Sequence, residues 1–150
     1  MTVIEKNKKL IERYPFLLPR NRFTGEIMEG YDYSYTELDD MPDGWRIAFA
    51  LEMCEELLSI LTEGDCVADY RIIQIKEKFG ELRWYASAVP RNILDKYNAF
   101  ICKYEELSRK TCIQCGAKAT KVSKGWISPW CDKCATKKHE NYIDIIEWRW

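Results

Sequence analysis

An α+β fold is predicted for this chain by three observations. Three segments show helical periodicity, residues 69–88 carry a hairpin pattern, and two Cys-x-x-Cys pairs stand near the C-terminus. The pairs are Cys112/Cys115 and Cys131/Cys134, with fifteen residues between them. That spacing is the ligand pattern of a structural zinc site. The expected architecture is a small helix and β-hairpin body over residues 1–107, followed by a zinc-ribbon- or knuckle-like module with a docking C-terminal segment over 108–150.

Each element has its own signal. Residues 2–13 place Val3, Ile4, Leu10 and Ile11 among lysines and glutamates, an amphipathic helix stopped by Pro15 and Pro19. Residues 14–43 hold three of the five prolines and read as an irregular wrap anchored by Tyr14, Phe16, Leu17 and Leu18. Within it Tyr31, Tyr33 and Tyr35 alternate with polar residues, the pattern of a short strand or of an aromatic binding surface. Residues 43–62 form the clearest helix, with Asp43 as its cap, Ile47, Ala50 or Leu51, Cys54, Leu57 or Leu58 and Leu61 as its stripe, and Gly64 as its stop.

Tyr70–Lys76 and Leu82–Ala86 are β-prone runs joined by a glycine-containing turn at Glu77–Gly80. Strand alternation puts Leu82 and Trp84 on one face and Arg83 and Tyr85 on the other. The hairpin is expected to pack on the 43–62 helix, because two strands alone are barely stable. A third helix begins at Pro90 and buries Ile93, Tyr97, Phe100 or Ile101, Tyr104 and Leu107. It runs into the first cysteine pair and should hold the module rigidly. The apolar, β-prone end Asn141–Trp150 is expected to pair or dock.

Composition narrows the function. The chain has 150 residues, 47% apolar and 31% charged, enough for one core and a charged surface. No apolar run reaches the ~18–20 residues of a membrane span. The first residues lack a signal-peptide core, so a cytoplasmic location without membrane association is expected. Seven cysteines, an odd number, and paired metal-ligand spacing argue against a disulfide framework. Cys54 and Cys102 lie on helical patterns where a buried reduced thiol is the expectation, and Cys66 is unassigned.

The net charge of −1 hides an asymmetry. Residues 1–107 carry 14 Lys and Arg against 20 Asp and Glu, a net of −6, while residues 108–150 carry 9 against 4, a net of +5. The basic module interleaves Lys121 and Lys124 with Trp126 and Trp130. Lysines that meet phosphates and aromatics that stack bases suit single-stranded nucleic acid. The alternative is that the tryptophans cover a small metal core and the lysines keep it in solution. His139, the one histidine, reads as a solvated neighbour or a substitute ligand. Four cysteines fill a tetrahedron and leave no open catalytic position. The chain also lacks Gly-x-Ser-x-Gly, the phosphate loop and the dinucleotide fingerprint. The expectation is a non-enzymatic binding protein for a protein or small ligand, using Tyr31, Tyr33, Tyr35, Arg83 and Tyr85. The alternative is a single-stranded nucleic-acid binder using Lys121, Lys124, Trp126 and Trp130.

Several stretches carry a resemblance: Tyr14-Pro15-Phe16-Leu17-Leu18-Pro19-Arg20-Asn21, Tyr31-Asp32-Tyr33-Ser34-Tyr35-Thr36, Pro42-Asp43-Gly44-Trp45, Ile75-Lys76-Glu77-Lys78-Phe79-Gly80-Glu81-Leu82-Arg83-Trp84-Tyr85, and the cysteine module with Gly125-Trp126 between its pairs. Together they resemble a family of small uncharacterised proteins of bacteria and their phages, over most of the chain. The resemblance implies a phage or prophage origin and a role as inhibitor or sequestering binder of a host system.

Overall fold

The computed structural model describes residues 1–87, 89–138 and 141–150. His139 lies outside the described residues, as do the side chains of Lys137 and Lys138. The fold is mixed helix with small antiparallel sheets.

Helix α1 (Val3–Arg13) starts at a capping box. Thr2 Oγ1 accepts the Glu5 N–H at 3.1 Å, and the Glu5 carboxylate accepts the Thr2 N–H at 2.8 Å. The irregular stretch follows as expected, with short 3-10 turns at Pro15–Leu17 and Glu37–Asp40. Tyr31, Tyr33 and Tyr35 do not form a strand. Tyr33 has φ +64, the Asp32 carboxylate accepts the Ser34 N–H at 3.0 Å, and the three rings pack on one another. A local Asx turn and ring contacts form here in place of a strand.

Helix α2 (Asp43–Glu63) has Pro42, not Asp43, at its N-cap position and no side-chain cap hydrogen bond. Asp43 instead pairs with Arg46 at 2.7 Å in the first turn. The buried side of α2 is Trp45, Phe49, Ala50, Met53, Cys54, Leu57, Ile60 and Leu61. Ile47 and Leu51 are 72% and 55% exposed. Four expected positions, Ala50, Cys54, Leu57 and Leu61, are buried, and the buried face widens from them toward Trp45, Phe49, Met53 and Ile60, away from Ile47. The large aromatic and Met side chains gain the most by leaving water and set the face.

Strands β1 (Ile72–Lys78) and β2 (Glu81–Ala86) pair antiparallel, with Lys78 opposite Glu81 and Ile75 opposite Trp84. The two-residue turn Phe79-Gly80 has φ of +54 and +78. Leu82 and Trp84 are buried and Tyr85 is exposed, as the alternation requires. The hairpin packs chiefly on α3 (Leu94–Arg109) and the 37–40 turn rather than on α2. A trio of buried polar groups ties it in: Trp84 Nε1 donates to the Tyr70 hydroxyl at 2.9 Å, and that hydroxyl lies 2.6 Å from the Tyr97 hydroxyl.

On α3 the buried residues are Tyr97, Phe100, Tyr104 and Ser108, with Leu107 38% exposed. Ser108 Oγ accepts the Leu82 N–H at 2.9 Å, which explains its burial. Cys102 is exposed, contrary to expectation, because it falls roughly half a turn from this stripe. Cys54 and Cys66 are buried. The body's buried residues, from Tyr14 to Tyr104, form one apolar cluster.

The C-terminal part is a three-stranded sheet, β4–β3–β5, and a short helix α4 (Asp132–Lys138). Strand β3 (Lys121–Ser123) lies between β4 (Pro129–Trp130) and β5 (Tyr142–Asp144). The C-terminal segment thus pairs as expected. Among the described residues no helix is long and apolar enough to cross a membrane.

Candidate metal centre

Cys112 leaves α3 through Thr111, whose hydroxyl donates back to the Leu107 carbonyl at 2.7 Å. The chain then folds into a knuckle. The Cys112 N–H donates to the Ala117 carbonyl at 2.7 Å and the Gly116 N–H to the Cys112 carbonyl at 3.0 Å. Gly116 has φ +85, a conformation that costs a side chain dearly. Cys131 precedes α4 and Cys134 lies in its first turn, so a three-residue step puts both sulfurs on one side. The second pair is thus the start of a helix and the first pair is the knuckle.

All four sulfurs lie within 4.8 Å of one another, and Cys115 Sγ is 3.6 Å from Cys131 Sγ. A tetrahedral ion bonded to sulfur at about 2.3 Å requires sulfurs about 3.8 Å apart. Backbone amides face the cluster: Ala117 N–H points at Cys115 Sγ at 3.5 Å and Cys134 N–H at Cys131 Sγ at 3.4 Å. Such donors orient thiolate ligands and spread their charge. Burial pushes the Cys131 thiol up, but the Cys134 amide and the neighbouring thiols outweigh this and bring it down to about 7. Burial, then hydrogen bonds to Cys131 and Cys115, push Cys134 up to about 12. A thiol must be deprotonated to bind a metal, so a bound cation takes the place of the protons on these sulfurs. The donor set can hold a metal ion such as zinc.

The cluster is also the joint between body and module. The Gly44 N–H at the start of α2 donates to the Ile113 carbonyl at 2.9 Å, and the buried Trp45 Nε1 donates to the Thr111 carbonyl at 3.0 Å. A Cβ at Gly44 would strike the Cys112 and Ile113 carbonyls. On the far side Glu81 accepts from Arg109 at 2.9 and 3.0 Å and from Arg83 at 3.1 Å, and Arg109 stacks over the Trp150 ring.

No family model, curated protein or solved structure matches the chain. The site is read from its own geometry.

The structure brings the four cysteines together and distributes the other expected site residues. Tyr31, Tyr33 and Tyr35 form a ring cluster anchored by Asn7 Nδ2, which donates to the Tyr33 carbonyl at 2.8 Å. Burial, then Tyr35 and Tyr33, push the Tyr31 hydroxyl up to about 12. Arg83 is engaged by Glu81 and Glu105, while Tyr85 is exposed beneath Lys76. In the module Lys121 pairs with Asp144 and Trp130 is buried, its indole N–H on Ser128 Oγ at 2.8 Å. Lys124 is exposed and Trp126 is 72% exposed. The sequence reading missed Phe79, which is 65% exposed at the hairpin tip and lines a cleft of about 310 Å³ with Trp126 and Ile127. Its signal was the Phe-Gly pair in a two-residue turn, where Asn or Asp usually precedes the glycine. A second cleft of about 540 Å³ joins Tyr35, Arg22, Phe23 and Glu37. Burial, then Asp40, push the Glu37 carboxyl up to about 7 there.

Proposed function

We propose that this chain is a non-enzymatic binding protein whose C-terminal module is held by a structural zinc ion on Cys112, Cys115, Cys131 and Cys134. The observation that carries the reading is the closed set of four sulfurs within 4.8 Å. A catalytic zinc keeps an open position beside three protein ligands, and four thiolates leave none. Zinc, bound through four thiolates, supplies the folding energy that the module's small apolar cluster lacks. The knuckle then fixes the start of α2 through Gly44 and Trp45, so the metal sets how the module's surface stands on the body. The resemblance to small phage and bacterial proteins supports a sequestering or inhibitory role against a host component.

Native mass spectrometry of the purified chain tests this reading. One zinc per chain is expected, lost together with the module's fold in Cys112→Ser. Iron–sulfur mass, a metal-free chain, or a Cys112→Ser variant that keeps both metal and fold would overturn it.

A further inference from the structure

Two turns, distant in the chain, meet at one cleft. The body contributes Phe79-Gly80 and the module contributes Gly125-Trp126-Ile127. The hairpin tip is held in place because Gly80 lies against the Ile127 carbonyl and the Trp150 ring. Both aromatic rings nevertheless stand in water, Phe79 at 65% and Trp126 at 72% exposure.

Neither the core nor the turn explains Phe79. Its φ of +54 occupies the first central position of a two-residue hairpin turn, which Asn, Asp or Gly fills at lower cost. A bulky ring is held in a costly conformation and then left exposed. Trp126 is likewise left exposed, whereas Trp130, four residues on, is buried and hydrogen-bonded.

Two lysines and one acid stand at the cleft, a net positive charge. Lys78 lies over the Phe79 ring and exposed Lys124 precedes Trp126 by two residues in the chain, and neither joins an ion pair among the described residues. Glu77, the acid at the cleft, accepts the Gly80 N–H at 3.0 Å and so is committed to the turn. Lys121, by contrast, is already paired with Asp144. Exposed aromatics with unpaired cations beside them are the elements of a base-stacking platform with phosphate contacts.

We infer that the Phe79–Trp126 cleft stacks bases of a single-stranded nucleic acid, with Lys78 and Lys124 meeting its phosphates. The inference rests on the reading of the chain as a zinc-stapled binding protein, because the metal holds one wall of the cleft against the other.

The test is fluorescence anisotropy of the zinc-loaded chain with labelled oligothymidylate and oligouridylate of about 15 nucleotides, at about 50 mM NaCl and upward. The two oligonucleotides show which polynucleotide binds better. Trp126→Ala and Phe79→Asn are each expected to weaken binding about tenfold or more. Asn suits the turn, so Phe79→Asn removes the ring and keeps the hairpin. Lys78→Glu with Lys124→Glu is expected to flatten the salt dependence by about one to two logarithmic units per unit of log salt. The inference is overturned if the zinc-loaded chain binds neither oligonucleotide, or if both ring variants bind as wild type does. It is also overturned if the rings mediate binding to anionic phosphatidylglycerol vesicles and not to oligonucleotides. Zinc content measured on the same samples separates a failure of this inference from a failure of the metal reading.

Discussion

The body buries 23 apolar side chains in one cluster, with Trp45, Met53 and Tyr104 at 1% exposure or less. The module's cluster holds five buried residues, Cys112, Trp130, Cys131, Cys134 and Ala135, and three of them are sulfur ligands. The difference teaches where each part gets its stability. The body can lose surface to water-free packing in the ordinary way. In the module the sulfurs occupy the place of a core, and on the proposed reading a cation bound to them would do what side-chain packing does elsewhere. Ile113 packs against both clusters, and the Gly44–Ile113 hydrogen bond joins them.

The sharpest way to break this contrast is to take the metal away. A strong chelator, or Cys112→Ser, is expected to abolish amide hydrogen-exchange protection over residues 111–136 while α2 and α3 stay protected. The energy at stake is large, about 10–16 kcal/mol for thiolate zinc sites in small modules. Loss of protection across α2 and α3 in the same step would show that the body also depends on the metal. Unchanged protection in the module would show that its side-chain packing suffices.

A smaller effect is expected at the joint. Gly44→Ala puts a methyl group 2.6 Å from the Ile113 carbonyl carbon, against the backbone of Cys112 and Ile113. The start of α2 must then retreat from the knuckle. A loss of about 2–3 kcal/mol in denaturant unfolding is expected, in the range of overpacked sites. Faster metal release to a competing chelator should accompany it. A variant within about 0.5 kcal/mol of wild type would mean that the close approach carries no weight.

Much of this arrangement is legible in the sequence, and the part that is not has a common cause. The helices at 3–13, 43–63 and 94–109, the hairpin and the cysteine quartet follow from local periodicity and spacing. The full width of the α2 face does not, because burial of Trp45 and Phe49 is completed by the knuckle and by Tyr104, which are far away in the chain. Tyr31, Tyr33 and Tyr35 have strand-like alternation but no partner strand, so a turn forms. The hairpin's choice of α3 over α2 rests on Ser108 receiving the Leu82 amide, a pairing that no pattern announces. Within the metal site the four ligands could be read directly. The Gly44 contact that seats them could not, since it is one backbone meeting another.

The charge cluster beside the joint should show the smallest effect and a distinctive one. Burial, then Glu81, push the Glu105 carboxyl up to about 7, while Arg83 and Arg109 pull the other way and lose. Glu81 itself is lowered: burial acts against this, but hydrogen bonds from Glu105 and Arg109 prevail. In the unfolded chain Glu105 returns to its ordinary 4.5. Between about pH 4.5 and 7 the unfolded chain has given up a proton that the folded chain keeps, so this group's contribution to stability falls as the pH rises. Glu105→Gln keeps a hydrogen-bond donor toward Glu81 at every pH. It should match wild type near pH 5 and exceed it by about 1 kcal/mol at pH 8, a value discounted for partial solvent access. Urea unfolding at the two pH values reads the difference directly. A difference that does not change with pH would show that Glu105 is ionised throughout. A less stable variant at pH 8 would show that its ion pair with Arg83, and not the shared proton with Glu81, holds this side of the joint together.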